Sequence, residues 1–315
     1  MIDKLFELDQ AAFNFSDEGK IWLDIVIGFI MFGIALGLKL SDFKILVNNP
    51  KPILVGFLSQ FVLMPLLTFI LAISLSQFIS PSIGLGMILV ASCPGGNISN
   101  YISSLAKGNI ALSVSLTALS SVSSIILTPL NFTFWGNLFL NFYDKKNNLV
   151  SVPTLSINIL DVFSVIIVVI GIPLILGILL NTKFPKITSK IYDPIKRLSA
   201  FPFFGLIGIL FYSNFELFVT YIQYVFFIVL IHNLFAFLLG YNFAKLNNLE
   251  LLDRKTISIE TGIQNSGLAL ALLFNPLIFP EDFAIGGLAF IAGLWGIWHI
   301  IAGFSIAVYW NFRKY

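Results

Sequence analysis

Two stretches of this chain set polar side chains and helix-breaking residues inside otherwise apolar runs. The first reads Ala91-Ser92-Cys93-Pro94-Gly95-Gly96-Asn97-Ile98-Ser99-Asn100, the second Glu260-Thr261-Gly262-Ile263-Gln264-Asn265-Ser266-Gly267. Pro94 has no amide donor and clashes with the preceding turn, and Gly95 and Gly96 carry a high helix cost, so a helix should unwind there. Glu260 lies between Ile257, Ile259 and a following Leu-Ala stretch. A carboxylate at such a depth in a membrane costs about 2.5 to 3.5 kcal/mol on insertion scales and normally faces an internal cavity and a partner. No lysine or arginine occurs at comparable depth elsewhere, so the partner is a bound cation, a proton, or a set of hydrogen-bond donors.

The oxygens needed for a hard cation are present. Ser113 and Thr117 are spaced i, i+4 and share one helix face, while Asn100, Gln60 and Gln264 offer amide oxygens. Together with carbonyls freed by unwound helix they suit sodium better than any transition metal. The amino ends of half-helices also expose unpaired amides and a positive dipole end, which favour an anion. Two broken helices in corresponding halves of a chain point to a transporter site at the bilayer midplane.

The elements that must hold these residues are membrane helices. Of 315 residues, 57% are apolar and only 11% charged, far more hydrocarbon than one water-soluble core can hide. Cutting the chain at its charged breaks gives about nine segments of bilayer-spanning length. Residues 1–20 read as a polar extracytoplasmic segment, too acidic for a signal peptide. Residues 21–137 form a first repeat broken around 92–100, 138–154 a loop, 155–311 a second repeat broken around 260–267, and 312–315 a tail.

Of the 18 basic residues, one side receives Lys39, Lys44, Lys51, Lys107, Lys183, Lys186, Lys190, Lys196, Arg197, Lys245, Arg254, Lys255, Arg313 and Lys314. The other receives only Lys4, Lys20, Lys145 and Lys146. The positive-inside rule then places the N-terminus outside and the C-terminus in the cytoplasm of a multi-pass cell-membrane protein. A net charge of +2 without a basic face excludes a nucleic-acid partner. Cys93 is the only cysteine, which excludes an intrachain disulfide and a thiol metal site.

At these residues the sequence resembles the bile acid/sodium symporter family. The likeness runs through Met31-Phe32-Gly33, Gln60 with Met64-Pro65, Cys93 through Asn100, Gly108-Asn109, Ser113, Thr117, His232-Asn233, Glu260 through Ala269, and Trp298-His299. It implies an all-α polytopic fold of inverted repeats, with two broken helices crossing in a core domain beside a panel domain. It also implies one sodium site at Ser99, Asn100, Ser113, Thr117 and Glu260, and a second at Gln60, Glu260, Gln264 and the carbonyls of Thr261 and Ile263. The substrate would lie near Asn97, Asn265 and His299. Ile300 replaces an asparagine that bacterial relatives carry after this histidine, which removes one polar substrate contact; since bacterial and plastid relatives are associated with small carboxylates, the resemblance implies a small carboxylate or a bile-acid-like anion as substrate. No cofactor is expected beyond sodium as coupling ion, and no enzymatic activity.

Plainer readings stand beside these. Hydroxyls in membrane helices often bond back to their own carbonyls, Pro94-Gly95-Gly96 alone could be a packing kink, and His232 and His299 read first as structural hydrogen-bonders. A proton-coupled carrier and an anion channel remain alternatives to a sodium symporter. An intramembrane enzyme using Glu260 and His299 lacks any metal motif, nucleophile elbow or phosphate loop.

Overall fold

The computed structural model describes residues 2–11, 16–38, 49–147, 157–279 and 283–312. Helices run α1 Ile2–Glu7, α2 Asp17–Ala35, α3 Pro50–Ser74, α4a Pro81–Ser92, α4b Ile98–Leu105 and α5 Ile110–Asn147. They continue with α6 Ile159–Lys183, α7 Pro185–Ser213, α8 Phe215–Leu246, α9a Leu251–Gly262, α9b Ser266–Leu273 and α10 Gly286–Phe312. Among the described residues α3, α5, α6, α8 and α10 are long and apolar enough to cross a bilayer. With a 30 Å hydrocarbon thickness to span, the chain is an all-α polytopic membrane protein, as its composition requires. The starts of α4a and α10 meet the segment that carries α1, and at the opposite face the ends of α2 and α6 meet, where Asn181 Nδ2 donates to Leu38 O at 2.7 Å. Of the basic residues used for orientation, Lys39, Lys44, Arg313 and Lys314 lie outside the described residues.

Both anticipated breaks form. Between α4a and α4b, and between α9a and α9b, the backbone leaves the helix and the two gaps meet in an isolated antiparallel bridge between Gly95 and Gln264. Glu260 itself remains helical, in the last turn of α9a. The second break is therefore shorter than the polar run that signals it.

Neighbouring helices hold the broken pairs from both sides. On α8, a Cβ at Gly240 would lie 2.7 Å from the Ile257 carbonyl oxygen, so only glycine permits this approach to α9a. The same helix satisfies the backbone where α9a ends, with Asn233 Nδ2 donating to Gly262 O at 2.7 Å. On α10, Gly287 packs against Ser82 and Ile83 of α4a. At the face opposite α1, Asn109 Nδ2 donates to Asp253 Oδ1 at 2.8 Å and Lys255 Nζ to Ala106 O at 3.1 Å, tying the start of α9a to the turn after α4b.

Two features depart from the sequence reading. The loop expected from residue 138 begins as helix, because α5 continues to Asn147 with Phe139 and Tyr143 buried and Tyr143 Oη donating to Ile79 O at 3.1 Å. Residues 148–154 of that loop lie outside the described residues. The segment before α2 is docked rather than merely polar: Leu5 and Leu8 are buried, and Asp9 accepts from Ser80 Oγ at 2.5 Å and from Ser82 Oγ. It forms a strap over the starts of α4a and α10. A Cβ at Gly286 would collide with Leu8 O, so the strap backbone touches α10 where no other side chain fits.

Candidate ion and substrate site

The carboxylate of Glu260 is buried against α4b and α5. Ser99 Oγ donates to its Oε1 at 2.6 Å and Ser113 Oγ donates to the same oxygen. Thr117 Oγ1 lies 3.1 Å from Oε2 and 3.3 Å from Asn100 Oδ1, and 3.4 Å from Ser99 Oγ. All five residues expected at one cation position are thus brought together from three helices. No basic side chain pairs with Glu260 among the described residues.

The back-bonding alternative is decided residue by residue on α5. Ser115 and Ser121 donate to Ala111 O and Thr117 O, each at 2.8 Å, the habit of hydroxyls in membrane helices. Ser113 and Thr117 turn instead toward the carboxylate. Ser103, one turn after Ser99, lies 3.3 Å from Ser113 Oγ and was not anticipated, although its i, i+4 spacing from Ser99 carries the signal.

The second polar group is built by a local defect in α3. Residues Ser59–Leu63 form a π-turn, in which Met64 N bonds to Ser59 O, five residues back. Pro65 follows and has no amide donor, and widening the turn removes the clash a proline ring makes with the fourth preceding carbonyl. The bulge presents Gln60 to the crossover: its Nε2 lies 2.8 Å from Gln264 Oε1 and 2.9 Å from Cys93 O. Gln264 Nε2 in turn donates to Thr261 O at 2.8 Å, and Ile263 O accepts from Gly96 N at 2.8 Å. Ser59 Oγ, 2.9 Å from Thr261 Oγ1, is a further member that the sequence did not single out.

A cavity of about 10 Å³ sits between these groups, lined by Gly56, Gln60, Gly95, Ser120 and Glu260 among others. That is room for about one water-sized particle, the scale of a dehydrated monovalent cation rather than an organic molecule. Oxygens from a carboxylate, amides and carbonyls at such spacing suit an alkali ion.

The residues expected to meet substrate are arranged around the same crossing. Asn97 and Asn265 are the N-cap residues of α4b and α9b; both half-helices begin at the crossover and direct their positive ends toward it. Asn265 Oδ1 accepts from Leu268 N at 3.1 Å, while the Asn97 side chain makes no capping bond. His299 is buried on α10, and its Nδ1 has no hydrogen-bond partner among the described residues. It lies between Gly296 and Gly303, which pack against Ser266 and Ile263 of the second broken helix. His232 Nε2 lies 2.8 Å from Thr68 Oγ1 and its ring is 4.6 Å from that of Trp295, while its Nδ1, like that of His299, has no partner among the described residues.

Comparison with known proteins finds relatives over most of the chain. The model of the Sodium Bile acid symporter family matches residues 24–221. A Bacillus subtilis protein named "Uncharacterized sodium-dependent transporter YocS" is 33% identical over 293 residues, 92% of this chain and 83% of the relative. The rice protein named "Probable sodium/metabolite cotransporter BASS2, chloroplastic" is 31% identical over 310 residues, 93% of this chain and 65% of the relative. The human P3 protein is 32% identical over 274 residues, 82% and 52% respectively.

Proposed function

The chain belongs to the sodium bile acid symporter family, and on that premise we propose that it imports a small organic anion, a carboxylate, together with sodium by alternating access. The observation that carries the reading is Glu260: a buried carboxylate with hydroxyls of Ser99, Ser113 and Thr117 around it and no basic partner among the described residues. A negative charge in that position is stable in a membrane only if a cation joins it.

One sodium ion takes Ser99, Asn100, Ser113, Thr117 and Glu260; a second takes Gln60, Glu260, Gln264 and the carbonyls of Thr261 and Ile263. Both draw on elements of the crossover, so sodium fixes the two gaps relative to each other. The anion then meets the amino ends of α4b and α9b near Asn97, Asn265 and His299. Coupling follows because ion and anion need the same backbone held still. With the strap face outside and the opposite face cytoplasmic, two sodium ions and a monovalent anion carry one net charge inward, worth about 2.3 kcal/mol per 100 mV.

The test is thermal stability of the purified protein in detergent, titrated with sodium against potassium, for the native chain and for Glu260→Ala. Sodium-selective stabilisation that vanishes in the variant supports the symporter. Equal responses to sodium and potassium in folded native protein overturn the cation sites and move a proton-coupled carrier or an anion channel ahead.

A further inference from the structure

The strap-face halves of α2 and α9b enclose a cavity of about 260 Å³, lined by Lys20, Ile21, Asp24, Ala271, Phe274, Asn275 and Pro276. It is below the ~300–1,000 Å³ of sites for drug-sized ligands. It therefore suits a metabolite of a few heavy atoms and not a sterol. Lys20 and Asp24 are four residues apart on α2, so they share one face with their Cβ atoms roughly 5–6 Å apart. Asp24 has no hydrogen bond or ion pair, with Lys20 or with any other described residue. Across the cavity, α9b and its C-terminal turn contribute no charged side chain: Asn275 presents an amide whose oxygen accepts from Leu277 N at 3.1 Å, leaving its NH2 available, and Phe274 presents a ring.

A half-buried carboxylate with nothing paired to it repels a simple organic anion and attracts a cationic group. A carboxylate on one wall and an amide donor on the other match a ligand that carries both an ammonium group and a carboxylate. We propose that this cavity is an access site selecting cargo with an amine as well as a carboxylate, Asp24 receiving the ammonium group and the Asn275 amide the carboxylate. The inference rests on the sodium-symporter reading and narrows its cargo from a simple carboxylate to a zwitterion, whose import with two sodium ions carries two net charges inward rather than one. It assigns the discrimination to α2, about 12 Å along α9b from the crossover where the ions bind.

The experiment uses the full chain in saturating sodium and four probes in matched pairs: 3-aminopropanoate against propanoate, and 4-aminobutanoate against butanoate. Ligand-induced thermal stabilisation is titrated for the native protein, Asp24→Asn and Asp24→Glu. The native protein and Asp24→Glu should respond to at least one amino acid at about tenfold lower concentration than to its partner without the amine, the scale of one charge-assisted hydrogen bond. Asp24→Asn should lose that preference and keep the full sodium response, which also certifies its fold. Equal response to both members of each pair, no response to any probe, or an amine preference that survives Asp24→Asn overturns the proposal. A native protein indifferent to sodium would instead defeat the symporter reading itself.

Discussion

Replacing Gly96 with alanine tests whether the crossover backbone, and not just the polar side chains around it, creates the ion site. A Cβ at Gly96 would stand 2.9 Å from Gln264 O, 3.3 Å from Gln264 C and 3.3 Å from Ile263 Cγ2. Two of these atoms are backbone and cannot rotate aside. The strands must part by a few tenths of an ångström where Gly96 N bonds to Ile263 O and Asn265 N to Pro94 O, both at 2.8 Å. Overpacking costs roughly 1–3 kcal/mol, and weakening two buried backbone bonds adds roughly 0.5–1.5 kcal/mol each. The sum is on the order of 2–6 kcal/mol, so the sodium concentration for half-maximal stabilisation should rise at least about tenfold. Gly293→Ala is the control, because its Cβ would meet nothing nearer than Phe211 Cζ at 3.9 Å and alanine favours helix. Sodium titrations of both variants in detergent decide the matter. A Gly96→Ala protein with the native sodium midpoint would refute the argument that a close backbone crossing is required.

Further outcomes follow from other contacts. Asn233→Ala leaves Gly262 O, at the end of α9a, without its donor at 2.7 Å; a loss of about 1–3 kcal/mol should lower the melting temperature with or without sodium. Tyr143→Phe removes the bond to Ile79 O and should cost about 1 kcal/mol while leaving sodium affinity unchanged, as the same melts will show. Burial raises the Asp9 carboxyl from its ordinary 3.8 to about 6, against the lowering effect of its bonds from Ser80 and Ser82. The docked strap therefore holds a proton more tightly than the free one, and its docking is firmest below about pH 4 and weakens as pH rises through about 6. Amide exchange of residues 2–10, corrected for intrinsic rates, should show less protection at pH 8 than at pH 5, and Asp9→Asn should flatten the difference.

The breaks in α4 and α9 are legible in the sequence because Pro94, Gly95, Gly96, Gly262 and Gly267 oppose helix through local chemistry alone. Ser113 and Thr117 are legible as a pair because helical spacing fixes their common face. Their turn toward Glu260, unlike Ser115 and Ser121, is a tertiary choice that no spacing reveals. The pairing of Gly95 with Gln264 is equally invisible, since either gap could shift by a residue without altering its composition. The π-turn at Ser59–Leu63 is signalled by Pro65 only as a disturbance, and which side chain it re-aims depends on the helices beside it. The strap escapes a hydropathy reading because Leu5, Leu8 and Asp9 are too few to form a period. Their burial comes from α4a, α8 and α10, which arrive much later in the chain.

That lateness has a consequence for how the protein is made. Ser99, Ser113 and Thr117 precede Glu260 by 161, 147 and 143 residues. At synthesis rates of about 5–20 residues per second the hydroxyls leave the ribosome on the order of ten seconds before their carboxylate. During that interval the first half holds a broken helix with unmet backbone groups in lipid, which hydrocarbon penalises severely. Its maturation is therefore a waiting step whose length is set by translation, and slow codons between α5 and α9a would prolong exposure of the first half to quality-control proteases without changing a single residue of the finished site.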